Sequence, residues 1–356
     1  MGCEDPENRG DRISEMQTAI DFVFLWCDGA DPDFVRQKAQ RMKEVRPELI
    51  TENIGDIRYV QFDELKYALR SVNQFAPWFH HIFIVTNNQR PKWLIDHPKI
   101  SVVDHKEIIP KDLQPVFSSI CIEMYLDRIP GLSEHFVYSN DDMMLSRPLM
   151  PGDFFDAQGR PILWMSNAGA AKMTSTQANL ILNDDSINSW QKTLIRAWEL
   201  YRRKTGRRIP FFTPAHAMDA YNIFMFREVL FRFPELLQTN SSPFRTGGEI
   251  SRVLFSYVMA NELGCQCLFR QNTRFFNRMK TRFFRPVEVL AVVRDHFAKL
   301  KRDVELFKPK AFCINNLRQD EAPEMIRYLN DKFPQPAPWE CGENNLRKVS
   351  YFLVQA

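Results

Sequence analysis

The chain has no CxxC pair, and its seven cysteines (Cys3, Cys27, Cys121, Cys265, Cys267, Cys313 and Cys341) form no cluster with histidine at zinc-ligand spacing. That odd, scattered set reads as reduced, buried thiols of a cytosolic protein. Long apolar runs are also missing, and none approaches the length of a membrane-crossing helix. Met1 to Gln17 is polar and acidic and lacks the apolar stretch of a signal peptide. The expectation is a soluble cytoplasmic protein with, at most, peripheral contact at the inner face of the membrane. Charge of one sign is scarce as well. Lys and Arg number 47 against 44 Asp and Glu, leaving +3, so no global field demands nucleic acid as a partner. No internal repeat or low-complexity linker divides the chain.

With 356 residues, 44% hydrophobic and 26% charged, the chain can bury a large core. Ile20 to Trp26 (IDFVFLW) is short, β-branched and aromatic, and stops at Asp28-Gly29, the pattern of a buried strand running into a turn. Phe34 to Val45 reads as a charged surface helix. Asp63 stands where it can cap a helix whose apolar face is Leu65, Ala68, Leu69, Val72 and Phe75, ended by Pro77. Three further strands follow: His81 to Thr86 with Asn87-Asn88 behind it, Ser101 to Val103, and His135 to Ser139 running into Asn140-Asp141-Asp142. A helix over Ser119 to Leu126 precedes the last of them. Strands alternating with helices predict an α/β fold with a mainly parallel sheet covered on both faces. In such sheets ligands sit at the carboxyl ends of the strands. Asp28, Asn87 and Asn140 to Asp142 all lie just past such an end.

The second half is more helical. Trp190, Leu194, Ala197, Trp198 and Tyr201 form one apolar stripe, and Ile250, Val253, Leu254 and Tyr257 another; both read as core packing. Adjacent Asp141 and Asp142 suit a hard divalent cation, Mg²⁺ or Mn²⁺, held against a diphosphate, although such pairs also serve as turn residues or helix caps. In Thr213-Pro214-Ala215-His216 the Thr and Pro suit the N-cap and first position of a helix, placing His216 in its first turn. A helix N-terminus disfavours an imidazolium and favours a nearby anion, so His216 fits either a general base beside phosphate or a capping-region structural role. Arg245, in the loop Pro243 to Glu249, can grip phosphate oxygens in a bidentate fork or simply pair with Glu249. The segment Arg270 to Arg285 carries only basic charge and suits an anionic acceptor or lipid surface, or a solvated face.

These segments together resemble the Stealth family, which includes the bacterial capsular polysaccharide phosphotransferases and is related to the lysosomal N-acetylglucosamine-1-phosphotransferase. Four ordered blocks carry the likeness. They are IDFVFLWCDGADPDF (Ile20 to Phe34), then DELKYALRSVNQFAPWFHHIFIVTNNQRPKWL (Asp63 to Leu94), which continues through His105, Phe117-Ser118-Ser119, Ile122-Glu123 and YSNDD (Tyr138 to Asp142). TPAHAMDAY (Thr213 to Tyr221) with Arg245 to Glu249 forms the third, and PKAFCINN (Pro309 to Asn316) the fourth. The chain departs from the pattern at Leu25, Cys27, Ile120, Gly248 and Asn316.

The resemblance implies a GT-A-like nucleotide-sugar fold in one domain over residues 19–335, between a polar tail (1–18) and a C-terminal segment (336–356). Its nucleotide-binding half would span about 19–165 and its helical half about 170–335. It implies transfer of a hexose-1-phosphate, with an N-acetylhexosamine-1-phosphate expected, from a UDP-sugar to a glycan acceptor hydroxyl that can be lipid-linked. UMP leaves, and a phosphodiester of a capsular or surface polysaccharide results. By the same resemblance, Trp26, Asp28 and Gly29 line the nucleotide pocket with Asn87 nearby. His105, Ser118, Ser119, Asn140 and Asn315 are further substrate-binding positions. Asp141 and Asp142 hold Mg²⁺ (or Mn²⁺) or a substrate hydroxyl, His216 is the general base, Arg245 neutralises the transferred phosphate, and Glu249 orients Arg245 or the acceptor. The rivals are a GT-A glycosyltransferase that attacks the anomeric carbon and releases UDP, and a non-catalytic nucleotide-sugar or polyanion binder. Sugar, acceptor and oligomeric state, a homodimer included, stay open at this level.

Overall fold

The computed structural model describes residues 19–45, 59–166, 173–269, 296–314 and 317–341. In chain order the first half contains β1 (Ile20–Leu25), α1 (Pro32–Val45), α2 (Glu64–Phe75), β2 (Ile82–Thr86), β3 (Ile100–Asp104), α3 (His105–Ile108), α4 (Ser119–Glu123), β4 (His135–Asn140), β5 (Met143–Leu145) and β6 (Leu163–Ser166). The second half contains α5 (Ser175–Leu182), α6 (Ser189–Thr205), β7 (Thr213–Pro214), β8 (Asp219–Asn222), α7 (Ile223–Arg232), α8 (Glu235–Asn240), α9 (Val253–Asn261), β9 (Cys267–Phe269), α10 (Phe297–Phe307), β10 (Ala311–Cys313) and α11 (Ala322–Lys332).

The main sheet has the order β3-β2-β1-β4-β8. β1 runs parallel to β2 and β4, β2 parallel to β3, and only the edge strand β8 is antiparallel. The expected mixed α/β fold, mainly parallel in its principal sheet, is present. Every residue of β1 is buried, as a central strand covered on both faces requires. Its alternation divides the core. Ile20, Phe22 and Phe24 face a layer with α2, α10 and α11, while Val23 and Leu25 face a layer with α6, α7 and α9. Fully burying an aromatic such as Phe22 contributes about 1.5–3 kcal/mol, so β1 anchors both layers.

Several local expectations are corrected. Asp63 occupies the N-cap of α2 but with φ 64°, and its side chain makes no capping bond. The neighbouring Glu64 carboxylate accepts the Phe62 N–H instead, at 2.6 Å. The helix begun at Ser119 stops at Glu123, followed by a tighter turn at Leu126–Arg128. In α6, Leu194, Ala197, Trp198 and Tyr201 are buried, but Trp190 is 48% exposed in the first turn. Ile250 is buried in the loop before α9 rather than on it. Thr213-Pro214 does not open a helix. It is the short strand β7, pairing antiparallel with β6 through Met165–Pro214 and Ser166–Thr213. Tertiary strand pairing overrides a favourable local capping pattern there.

Two small sheets complete the body, β7-β6-β9 and β10-β5. The second lays Cys313 opposite Met143, one residue beyond Asp142. Towards the C-terminus Ala337 and Trp339 are buried in the α2 layer, and Arg70 makes a bidentate pair with Glu340 at 2.7 and 2.6 Å.

Candidate active site

The parallel topology brings the ends of β1, β2 and β4 together. Leu25 is in register with Val85 and with Asn140, so the residues beyond them share one edge of the sheet. There the Gln89 side chain clamps Asp28, accepting its N–H at 3.0 Å and donating to its carbonyl at 2.9 Å. The Asp28 carboxylate caps the turn through the Ala30 N–H at 2.9 Å. Gly29 donates to the Tyr59 carbonyl at 2.9 Å, and any Cβ at position 29 would overlap the Cβ and carbonyl of Tyr59. Glycine is required there by close backbone approach. Asn87 is buried and donates to Gln37 of α1 at 3.3 Å.

The turn joining β4 to β5 carries the acids. Gln61 bridges the pocket: its Oε1 accepts from the Trp26 indole at 3.2 Å and its Nε2 donates to Asp141 Oδ2 at 2.8 Å. Asp142 Oδ2 lies 3.2 Å from the Cys313 thiol, its donor, while Asp142 Oδ1 is buried with no partner. Burial raises both carboxyls, and the Asp141 charge raises Asp142 further. Burial and then Asp141 push Glu64 up to about 7. Burial, Asp141 and Asp28 also push the Cys27 thiol up. Acidic groups are thus crowded here, each resisting ionisation, without a cationic side chain in contact with either aspartate among the described hydrogen bonds and ion pairs. The described residues contain no set of three His, Cys, Asp or Glu side chains arranged to hold a metal.

His216 lies between β7 and β8, half-buried. Burial, and then the charge of Arg252, lower its pKa to about 4, so the imidazole is neutral at physiological pH. Desolvation and then the Arg252 guanidinium disfavour the charged ring, where the sequence pointed to a helix terminus. Arg252 pairs with Glu123 at 2.9 Å and Asp219 at 2.7 Å. Tyr138 bonds both Glu123 at 3.0 Å and Asn140 at 2.9 Å.

Arg245 donates to Ser119 Oγ at 2.6 Å. Its loop is tied down by the Phe117 N–H to the Pro243 carbonyl at 2.7 Å and by Phe117 stacking on Phe244 at 5.2 Å. Tyr59, the partner of Gly29, donates to the Phe117 carbonyl at 3.1 Å. Buried Glu249 does not bond Arg245. Its carboxylate accepts from the Thr246 and Gly247 N–H groups and so shapes the loop, while Arg196 of α6 donates to the Gly247 carbonyl at 2.5 Å.

Contacts therefore join Trp26, Asp28, Gly29, Asn140, Asp141, Asp142, Ser119 and Arg245 into one neighbourhood; Ser118 is buried next to Ser119 in the chain, and the charge of Arg252 is what links His216 to it. His105 stands apart at the end of β3, its Nδ1 buried without a partner and burial lowering its pKa to about 4. Asn315 and the basic segment 270–285 lie outside the described residues. Gln61, Gln89, Glu64, Arg252, Asp219 and Cys313 were not singled out from the sequence, because each acts through a partner distant in the chain.

The arrangement is that of an α/β protein with an acidic and arginine-lined site at the carboxyl edge of its parallel sheet. The model of Stealth protein CR2, conserved region 2, matches residues 58–163, a stretch that includes Gln61, Ser119 and the acidic turn. The chain is 41% identical over 246 residues to the capsular polysaccharide phosphotransferase LcbA of Aeromonas hydrophila, covering 59% of this chain and 67% of that protein. It is 33% identical over 343 residues to the exopolysaccharide phosphotransferase CpsY of Mycobacterium leprae, covering 92% of this chain and 58% of that protein. A third relative, the exopolysaccharide phosphotransferase cps2G of Lactiplantibacillus plantarum, is 45% identical over 143 residues, 40% of this chain and 41% of its own. The chain thus spans 58% of the length of the mycobacterial relative. It belongs to the Stealth family.

Proposed function

We propose that this chain transfers a hexose-1-phosphate, of the N-acetylhexosamine type, from a UDP-sugar to a glycan acceptor hydroxyl during capsular or surface polysaccharide synthesis at the cytoplasmic face of the membrane. The observation that carries this reading is the acidic turn with its orphaned Asp142 oxygen, at the carboxyl edge of the sheet and in one contact network with the Arg245–Ser119 pair. The names of the relatives, all phosphotransferases of capsular or exopolysaccharide, agree with it. The strand order with its antiparallel edge supports a GT-A-like arrangement, within which residues 19–335 act as one catalytic domain.

In this mechanism the acceptor oxygen attacks the β-phosphorus of the donor. A new P–O bond forms, the bond from that phosphorus to the bridging oxygen breaks, and UMP departs with the bridging oxygen. Phosphoryl transfer of this kind depends on positioning and charge neutralisation more than on covalent catalysis. Trp26, Asp28 and Gly29 form the nucleotide wall, with Asn87 beside them. Arg245, held by Ser119, meets the transferred phosphate in a charge-assisted pair. His216 takes the acceptor proton. A base of pKa about 4 is weak, and an anionic phosphate brought beside it would raise it toward working pH, so proton transfer is best served only with donor bound. Asp141 and Asp142 fit a Mg²⁺ or Mn²⁺ ion, which when bound supplies positive charge to the diphosphate oxygens.

The test is a screen of UDP-sugars with a polysaccharide acceptor, read by which nucleotide appears. UMP is expected. UDP would move the chain to the anomeric-carbon glycosyltransferases, and no nucleotide from any donor would leave only binding.

A further inference from the structure

Arg252 lies at the N-cap of α9, and both ends of its guanidinium are committed. One Nη reaches Glu123 at 2.9 Å and the other Asp219 at 2.7 Å, while its carbon sits 4.7 Å from the centre of the Tyr138 ring. Each partner belongs to a segment that carries a residue of the proposed site. Glu123 ends α4, whose first residue, Ser119, accepts from Arg245 at 2.6 Å. Tyr138 donates to Asn140 at 2.9 Å, immediately before the acidic turn. Asp219 opens β8, three residues past His216.

We propose that Arg252 is the positioning residue of the site, a single fork that fixes the acidic turn, the Arg245–Ser119 contact and His216 relative to one another. The proposal rests on the transfer function set out above. Arg252 is not assigned to substrate, because its two Nη groups already hold carboxylates and its side chain is only 19% exposed. Lysine cannot replace it: a single ammonium is a point charge and cannot span two carboxylates in a fixed plane. The charge of Arg252 is secure. Burial disfavours it, but Glu123 and Asp219 outweigh burial and raise its pKa well above the ordinary value. Among the charged groups around this centre, Arg252 is the one that acts on His216, and Glu123 of α4 and Asp219 of β8 act on Arg252; the phenols of Tyr138 in β4 and Tyr221 in β8, raised by burial, stay neutral.

The experiment compares the wild-type chain with Arg252→Lys and Arg252→Gln by kinetics and by NMR titration of the His216 ring, assigned with His216→Asn. In Arg252→Lys, kcat should fall about a hundredfold through misplacement of the reacting groups, with the donor KM little changed. His216 should titrate in that variant as in the wild type, because the charge remains. In Arg252→Gln the His216 titration should move to higher pH, and the acid limb of the rate profile should move with it. Wild-type kcat in Arg252→Lys, or a loss confined to KM, would overturn the proposal. So would a His216 titration unmoved in Arg252→Gln. If Arg252→Gln does not fold, the kcat and KM of Arg252→Lys decide. A wild-type chain silent toward every UDP-sugar would count against the transfer function, while the His216 titration would still decide on Arg252.

Discussion

Two clusters of buried charge lie within one site and behave in opposite ways. At Asp141-Asp142 the described side chains that donate to the carboxylates are neutral, Gln61 and the Cys313 thiol, and Asp142 Oδ1 is buried without a partner. Around Arg252 the carboxylates of Glu123 and Asp219 already have their cation. The first cluster has no cation of its own among the described residues; the second has one, and it links neighbouring segments. Uncompensated charge marks where a protein expects a ligand, and compensated charge marks what keeps the expectation in shape.

Substitutions should therefore separate activity from stability in opposite senses. The paired change Asp141→Asn/Asp142→Asn should reduce turnover by roughly three orders of magnitude, since both carboxylates proposed to hold the cation against the diphosphate go. The same change should raise the melting temperature in EDTA at alkaline pH. Glu123→Gln should instead lower stability, by about 2 kcal/mol for the loss of a charge-assisted contact. If both substitutions shift melting in the same direction, the contrast fails.

His216→Ala should lower kcat by about two to four orders of magnitude while donor binding, measured by calorimetry, survives. Loss of binding with kcat retained would make His216 a recognition residue.

The pH dependence follows from the raised carboxyls. Their folded-state pKa values lie above those of the unfolded chain, so the folded state binds more protons between the two. Without metal, this part of stability is present at acid pH and is lost as pH rises through the folded-state values. Mg²⁺ should restore it, by about 1.4 kcal/mol at ten times its dissociation constant. The aspartate double variant should show neither the loss nor the rescue. Calorimetric melts in EDTA and in Mg²⁺ across pH check both. Equal rescue of wild type and variant would place the cation elsewhere.

The first cluster was legible in the sequence because its parts are local. An apolar β-branched run broken by Asn-Asp-Asp or Asp-Gly announces a strand and the loop at its end, and parallel topology then places Asp28, Asn87 and Asp141 on one edge. The second cluster was not. Glu123, Asp219 and Arg252 follow no local period: the first two fall inside the matched blocks without a role of their own, and Arg252 goes unremarked until the chain is folded. Thr213-Pro214 misled for a related reason: its capping chemistry is real, but pairing with Met165 and Ser166 decides its conformation. Glu249 was read as a possible partner of Arg245; its carboxylate instead accepts from the Thr246 and Gly247 backbone, a local fold that sequence spacing does not announce.

The smallest effect is expected at the nucleotide wall. Gly29→Ala would force the Asp28–Gly29 turn away from Tyr59, raising the donor KM with kcat largely kept. An unchanged donor KM would remove this turn from the binding surface.

The destination of the donor's β-phosphorus tests the central claim most directly. With a UDP-sugar carrying ³²P at that position, the account predicts that the label moves to the polysaccharide product, resists phosphatase there as a diester, and leaves UMP unlabelled. Label retained on the nucleotide, with a phosphorus-free sugar on the acceptor, would contradict it.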